Sequence, residues 1–220
     1  MAAPCLTAIG VCALRITALD DNGTPLVGAE SSVVRNLIQI QKSTTVSAGT
    51  SFEQRDGCGN ICASKKTQDK ITGVSLELQL CQTDAALEAL LTEGTLITGN
   101  LFTPSGPIGV DLPSSTAPNS NGVAVEAWQP VQDGAEVAVS ALGNPVYKHW
   151  VWPKVTWVPG QTTLIEGITV TAFTGTGVEN SQIFDGPFDD LPTTPQGAEY
   201  WFYDDNIPDV TCDYDEVLAS

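Results

Sequence analysis

The sequence is poor in cations and almost without histidine. Nine Lys and Arg stand against 26 Asp and Glu, for a formal net charge of −17. No basic residue follows Lys154, although acidic residues continue to Glu216. A chain with that balance does not grip nucleic acid by neutralising phosphates, and its field repels polyanions at close range. His149 is the single histidine, so any Ser-His-Asp or Cys-His arrangement has to use it. No G-x-S-x-G, P-loop or dinucleotide fingerprint accompanies it. His149, in Tyr147-Lys148-His149-Trp150, therefore reads as structural, the chain as a non-enzyme, and no cofactor is implied.

Long apolar runs are also missing. None approaches the roughly 18 residues that a membrane-spanning helix needs, so no membrane is expected as a partner. The opening MAAPCLTAIGVCALRI has no basic residue ahead of its apolar stretch and runs straight into a strand-like segment. That speaks against a secretory leader and for the cytoplasm, or a particle assembled there. Cysteine is sparse: Cys5, Cys12, Cys58, Cys62, Cys81 and Cys212 are too few for a disulfide scaffold of 220 residues. Cys58 and Cys62 lack the second thiol pair or spaced histidines of a structural zinc site. Asp20-Asp21-Asn22-Gly23 starts like a calcium loop, but the twelfth position is Ser31 instead of Glu. The carboxylates from Asp204 to Glu216 read as a solvated acidic tail. No metal is expected.

What is present is β-structure. Apolar residues make up 42% of the chain, enough for one domain with a sizeable core. Residues 11–19 read as a strand, followed by an Asn22-Gly23 turn. Val33–Ile40, continuing to Thr44–Val46, reads as the next strand, and residues 47–60 as a long polar loop. In residues 71–81, Val74, Leu76, Leu78 and Leu80 face one way and Ser75, Glu77, Gln79 and Cys81 the other, the pattern of a half-buried strand. Thr83 or Asp84 then caps a short helix with Leu87, Leu90 and Leu91 on one stripe and Gly94 as its stop. Residues 103–122 are Pro/Ser/Gly-rich and read as a long loop. Strands resume at Val123–Trp128, Ala135–Ala141, Tyr147–Val158 and Thr162–Phe173, with Ile168, Val170 and Ala172 alternating against Thr169 and Thr171. Pro153 marks an edge or a bulge. Little regular structure is expected beyond Asn180, although Tyr200, Trp201, Phe202 and Tyr203 offer anchors. The expected fold is mainly β: an antiparallel barrel or sandwich with one short flanking α-helix.

The order of these pieces resembles the major tail tube proteins of long-tailed, siphovirus-type bacteriophages, particularly those of actinobacterial hosts. The matching segments are LDDNGTPLVG, GCGNICASKK, ITGVSLELQLCQTDAALEALLTEG and VWPKVTWVPGQTTLIEGITVTAFTGTGVENS. That resemblance covers residues 11–190. It implies a tube domain over 1–190, akin to the type VI secretion tube fold, with 191–220 as an acidic C-terminal extension.

The resemblance further implies a virion tail protein, assembled in the host cytoplasm. It would form homo-hexameric rings that stack into a hollow tube, and would meet the tape measure, tail terminator and baseplate proteins. DNA would touch it only in transit during ejection. Six copies of a −17 chain would carry roughly −100 before screening, a lumen that DNA does not stick to. Glu77 and Gln79, with Thr169 and Thr171, are the expected lumen-lining residues. Ser51, Phe52, Glu53, Arg55 and Asp56 are the expected ring-stacking residues, because tubes of this kind use a long early loop there. A second reading from the residues is a carbohydrate-binding β-sandwich, with Trp128, Trp150, Trp152, Trp157 and Trp201 as a sugar-facing surface.

Overall fold

The computed structural model describes residues 6–8, 10–26, 30–34, 37–80, 85–101, 105–113, 121–160, 171–183, 188, 191–193, 196–208 and 214–216. Its strands are β1 (Thr7–Ala8), β2 (Ala13–Ala18), β3 (Glu30–Val34), β4 (Leu37–Ser47), β5 (Ser51–Arg55), β6 (Ile61–Lys66) and β7 (Lys70–Leu80). Helix α1 (Ala85–Thr92) follows, then β8 (Thr95–Gly99), β9 (Gly106–Asp111), β10 (Val123–Asp133), β11 (Glu136–Val137), β12 (Tyr147–Pro159), β13 (Thr171–Val178), β14 (Tyr200–Asp204) and β15 (Tyr214–Glu216). The fold is mainly β, its pairings are antiparallel, and α1 is the one helix among the described residues.

One large sheet carries the order β15-β3-β2-β10-β12-β13-β7-β4. β5 with β6, and β8 with β9, form two-stranded sheets of their own. The 47–60 segment is therefore not a loop. Ser51 to Arg55 pair with Ile61 to Lys66 and extend the β4–β7 hairpin outward. Likewise, part of the 103–122 segment is β9, laid against β8. Polar Ser/Gly-rich composition hid both pairs, because neither buries a hydrophobic face that would set a period of two.

The core lies on the face that α1 covers. Leu14, Ile16, Val125, Trp152, Val155, Trp157, Phe173 and the β7 series Val74, Leu76, Leu78 and Leu80 meet Leu87 and Leu91 of the helix there. The helix stops on a residue with positive φ, as helices often do, but that residue is Glu93 (φ 53) and not Gly94. The Glu93 carboxylate accepts hydrogen bonds from the backbone N–H groups of Asn121 (3.0 Å) and Gly122 (2.6 Å), which ties the helix end to the start of β10. Gly94 is needed for space, since a Cβ there would lie 2.7 Å from Val110 Cγ2. The expected caps Thr83 and Asp84 lie outside the described residues.

One five-residue turn recurs at three hairpins. Asp20 and Thr24, Asp56 and Asn60, and Ser140 and Asn144 are each joined by a backbone N–H to C=O bond of 2.8 Å. The fourth residue is glycine each time, at φ 84, 86 and 84 for Gly23, Gly59 and Gly143. Left-handed backbone at that position favours glycine, and an Asp or Ser at the first position accepts local N–H groups.

Pro153 sits inside β12 where that strand changes partner. Its first half, Tyr147–Val151, pairs with β14, and its second half, Lys154–Pro159, pairs with β13. A residue without N–H suits the gap between two ladders. β14 and β15 both add to the large sheet, so the segment expected to be irregular beyond Asn180 contributes strands at 200–204 and 214–216.

Candidate functional site

Three surfaces stand out around this frame: a polar sheet face, a projecting arm and a buried charge cluster. The polar face is the outer side of β4, β7 and β13. Register places Gln39, Gln41 and Ser43 beside Gln79, Glu77 and Ser75, and these beside Ala172, Thr174 and Thr176. Gln79 donates to Glu77 at 2.9 Å. No Lys, Arg or aromatic residue stands at these register positions. Two of the expected lumen residues, Glu77 and Gln79, thus share one surface. Thr171 does not join them, because it pairs with Leu80 and lies on the core side. Thr174 and Thr176 take the outer positions, since Phe173 at the next inward position is fully buried against the β7 leucines. Thr169 lies outside the described residues.

The arm comprises the outer half of the β4–β7 hairpin and the β5–β6 pair. Every residue from 50 to 72 is exposed, Ser51, Phe52, Glu53, Arg55 and Asp56 included. At the joint between the two pairs, Gly49 donates to Asp69 Oδ1 at 2.9 Å. A Cβ on Gly49 would lie 1.8 Å from the Thr67 carbonyl oxygen, so only glycine fits the crossing. At the tip, Asp56 Oδ1 accepts from the N–H groups of Cys58 (2.9 Å) and Asn60 (2.8 Å). Asp56 is held below the usual carboxylate range, foremost by its side-chain hydrogen bond with Asn60. Cys58 and Cys62 are exposed free thiols beside it.

The arm also separates charge. Residues 46–72 hold four basic and three acidic residues, a net of +1, so the rest of the −17 chain carries −18. Four apolar side chains on the arm are more than half exposed: Val46, Phe52, Ile61 and Ile71. Val46 and Ile71 are direct cross-strand neighbours.

The buried cluster lies on the other face of β2, β10 and β12. The Arg15 guanidinium forks onto the Glu126 carboxylate, Nε to Oε2 at 2.6 Å and Nη2 to Oε1 at 2.9 Å. Glu126 Oε1 also lies 3.0 Å from His149 Nε2, and His149 Nδ1 stands 3.4 Å from Asp204 Oδ2. The imidazole is stacked on Trp128 (4.2 Å between centroids) and tilted against Phe202 (4.6 Å). β14 is therefore held to the sheet by a ladder, a ring contact and a charge pair at once. Beside the cluster lies a cavity of ≈ 50 Å³ that is also lined by Leu191, Asn206 and Pro208, with no thiol or hydroxyl among the described residues of its wall. These contacts tie β2, β10, β12 and β14 to one another through charge and ring packing.

Charge in the cluster sets a pH dependence. Burial opposes the imidazolium, but hydrogen bonds and attraction from Asp204 and Glu126 outweigh it and raise the His149 pKa above 6.5. Burial likewise opposes the Glu126 carboxylate, and Arg15 and His149 overcome it, so its pKa falls below 4.5. A raised folded pKa gives stability that is complete below the unfolded value and disappears as pH rises through the folded one. The depressed carboxylate gives stability that disappears as pH falls below about 4.5. The unfolding free energy from urea titrations is expected to be highest between roughly pH 4.5 and 6.5 and to decline towards pH 9. His149→Gln should abolish that alkaline decline. An identical decline in the variant would show that another group causes it.

No protein-family model matches this chain, and comparison with curated proteins returns no significant match. Among the described residues, no helix is long and apolar enough to cross a membrane, and no group of His, Cys, Asp or Glu is arranged to hold a metal ion. Of the five tryptophans, Trp128, Trp152 and Trp157 are buried in the two faces of the sheet, Trp150 is half-buried, and Trp201 is exposed. Sequence reading missed Arg15, Glu126 and Asp204 as partners of His149. Its signal was a lone Arg in VCALRITAL and a lone Glu in VAVEAW, each a charge at an interior strand position.

Proposed function

We propose that this chain is a non-enzymatic structural subunit of a phage tail. In this reading it polymerises as stacked hexameric rings into a hollow tube that delivers DNA, its large sheet curling into the barrel or sandwich of tube proteins. The observation that carries the reading is the arm. A two-stranded hairpin with no buried residue is marginal in water by itself, and this one displays Val46, Phe52, Ile61 and Ile71 to solvent. Such a feature is stable as an interface element, completed when another copy covers it. Its +1 charge beside a −18 remainder favours landing on the acidic body of the next subunit, and this fits ring-to-ring stacking through Ser51, Phe52, Glu53, Arg55 and Asp56.

The face made of Gln41, Ser43, Ser75, Glu77, Gln79, Thr174 and Thr176 suits the lumen. It offers no cation to capture a phosphate and no ring on which a base would stack. Contacts with tape measure, terminator and baseplate proteins, and a place in the virion tail, belong to the same reading.

The test replaces residues 50–67 by an Asn-Gly turn, which keeps the β4–β7 pairing. The variant is expected to fold with the wild-type circular dichroism spectrum and to form no long tubes in negative-stain electron microscopy. Long tubes from the variant would remove the stacking role from the arm.

A further inference from the structure

Two carboxylates approach His149, one at each ring nitrogen. Glu126 Oε1 on β10 lies 3.0 Å from Nε2, and Asp204 Oδ2 on β14 lies 3.4 Å from Nδ1. A carboxylate only accepts hydrogen bonds, so both ring nitrogens have to donate. The imidazolium does so. The neutral ring cannot, because one of its nitrogens then turns a lone pair towards an oxyanion.

The two ends of the ring are not equivalent. The Glu126 side chain is 1% exposed and is also held by the Arg15 guanidinium, which stays charged throughout the accessible pH range. Its oxygen is the nearer one, so the neutral ring keeps its proton on Nε2. Nδ1 is buried, and Asp204 is the only acceptor near it among the described residues. The Asp204 side chain is 16% exposed, and β14 pairs with no strand but β12 among the described residues. Loss of the Nδ1 proton therefore sets a lone pair against the carboxylate of the strand that is easiest to move. It also takes the positive charge from a ring packed against Trp128 and Phe202, and with it the cation–π attraction to Phe202 of β14. Arg15 on β2, Glu126 on β10 and Asp204 on β14 are the charged groups that face the ring among the described residues, and the other side chains against it do not titrate.

We propose that His149 is a proton-operated latch for β14. With both ring protons in place, β14 is pinned to β12. Loss of the Nδ1 proton lets Tyr200–Asp204 come away and bares the edge of β12 at Tyr147–Val151. The rest of the sheet holds, because neither the Arg15–Glu126 pair nor the core beneath α1 changes charge in this step. The latch is closed on the acid side of the His149 titration and opens on its alkaline side. It does not depend on the assembly proposed above.

His149 is the single histidine, so one imidazole signal reports it. Its nitrogen chemical shifts across a pH series give the titration midpoint and the tautomer of the neutral ring, which is expected to be protonated on Nε2. Amide hydrogen exchange is then compared on the two sides of that midpoint, with circular dichroism to check folding at each pH. Protection factors, corrected for the intrinsic pH dependence of exchange, are expected to fall about tenfold along β14 and Tyr147–Val151, the loss of one charge-assisted hydrogen bond. They should stay constant along the β2–β10 ladder. Asp204→Asn should abolish the fall, because an amide can accept from Nδ1–H or donate to its lone pair. Equal protection of β14 on both sides of the midpoint, or the same fall in folded Asp204→Asn, would overturn the latch. So would a neutral ring protonated on Nδ1, a fall shared by the β2–β10 ladder, or a His149 that keeps its charge until the whole chain unfolds.

Discussion

Glu126→Gln is expected to lower the unfolding free energy by about 3–5 kcal/mol, the cost of leaving buried cations without their counter-charge. Glu126 is 1% exposed and is the shared acceptor of Arg15 and His149. The amide keeps the volume of the carboxylate, so no cavity forms and the loss is electrostatic. Gln also offers one acceptor oxygen where Glu offers two, and turns an N–H donor towards either Arg15 or His149. For a chain of 220 residues, each kcal/mol shifts the melting midpoint by roughly 2–4 °C, so a drop of about 6–20 °C is expected by circular dichroism. Because His149 also anchors β14 through Asp204 and Phe202, the variant should lose hydrogen-exchange protection along the β12–β14 ladder before the rest of the sheet. A melting midpoint within 2 °C of wild type would mean the cluster loses its charges on folding, contrary to its geometry.

Phe173→Ala is expected to cost about 3–5 kcal/mol by a different route, an emptied core position. Phe173 is fully buried and joins the leucines of β7 to Trp157 and Val155 of β12. Its surroundings have little room to collapse. Trp157 already lies against β13 at Gly175, where a Cβ would come within 2.7 Å of the indole. Glycine inside this strand is thus explained by the close approach of a large ring, and the ring cannot advance further to fill the void. Chemical denaturation should show a lower midpoint with an unchanged slope. A loss below about 1 kcal/mol would indicate that the core relaxes around the cavity.

The two variants also separate what is readable in the chain from what is not. The β7 alternation announced its own burial: Val74, Leu76, Leu78 and Leu80 are all in the core. The helix stripe of Leu87 and Leu91, the Asn22-Gly23 turn and the β2, β10 and β12 strands were equally legible, because each rests on local periodicity or turn chemistry. Phe173 was not. Choosing Thr169 and Thr171 as lumen-facing puts Phe173 on their side by the period of two, whereas Phe173 is buried in the core and Ala172 stands beside Gln79 on the outer face, and one residue of slip inverts every side chain of a strand. The arm was missed for a related reason, since its strands have no buried face to announce them. The His149 cluster was beyond local reading altogether. Arg15 and Glu126 are 111 residues apart in the chain.

The sequence by itself determined that this is a mainly β protein with an anionic surface, a leucine-striped strand, one short helix and glycine-bearing turns at set positions. Those properties follow from side-chain period, backbone sterics and net charge, which act over a few residues or over the whole composition. Only the tertiary structure decided that 51–66 stands out as an arm, that β14 shares β12 with β13, and that Glu126 is flanked by two cations. Those facts depend on which strand edges meet and in what register, and interstrand hydrogen bonds are available to any edge, so the choice falls to packing across the whole sheet.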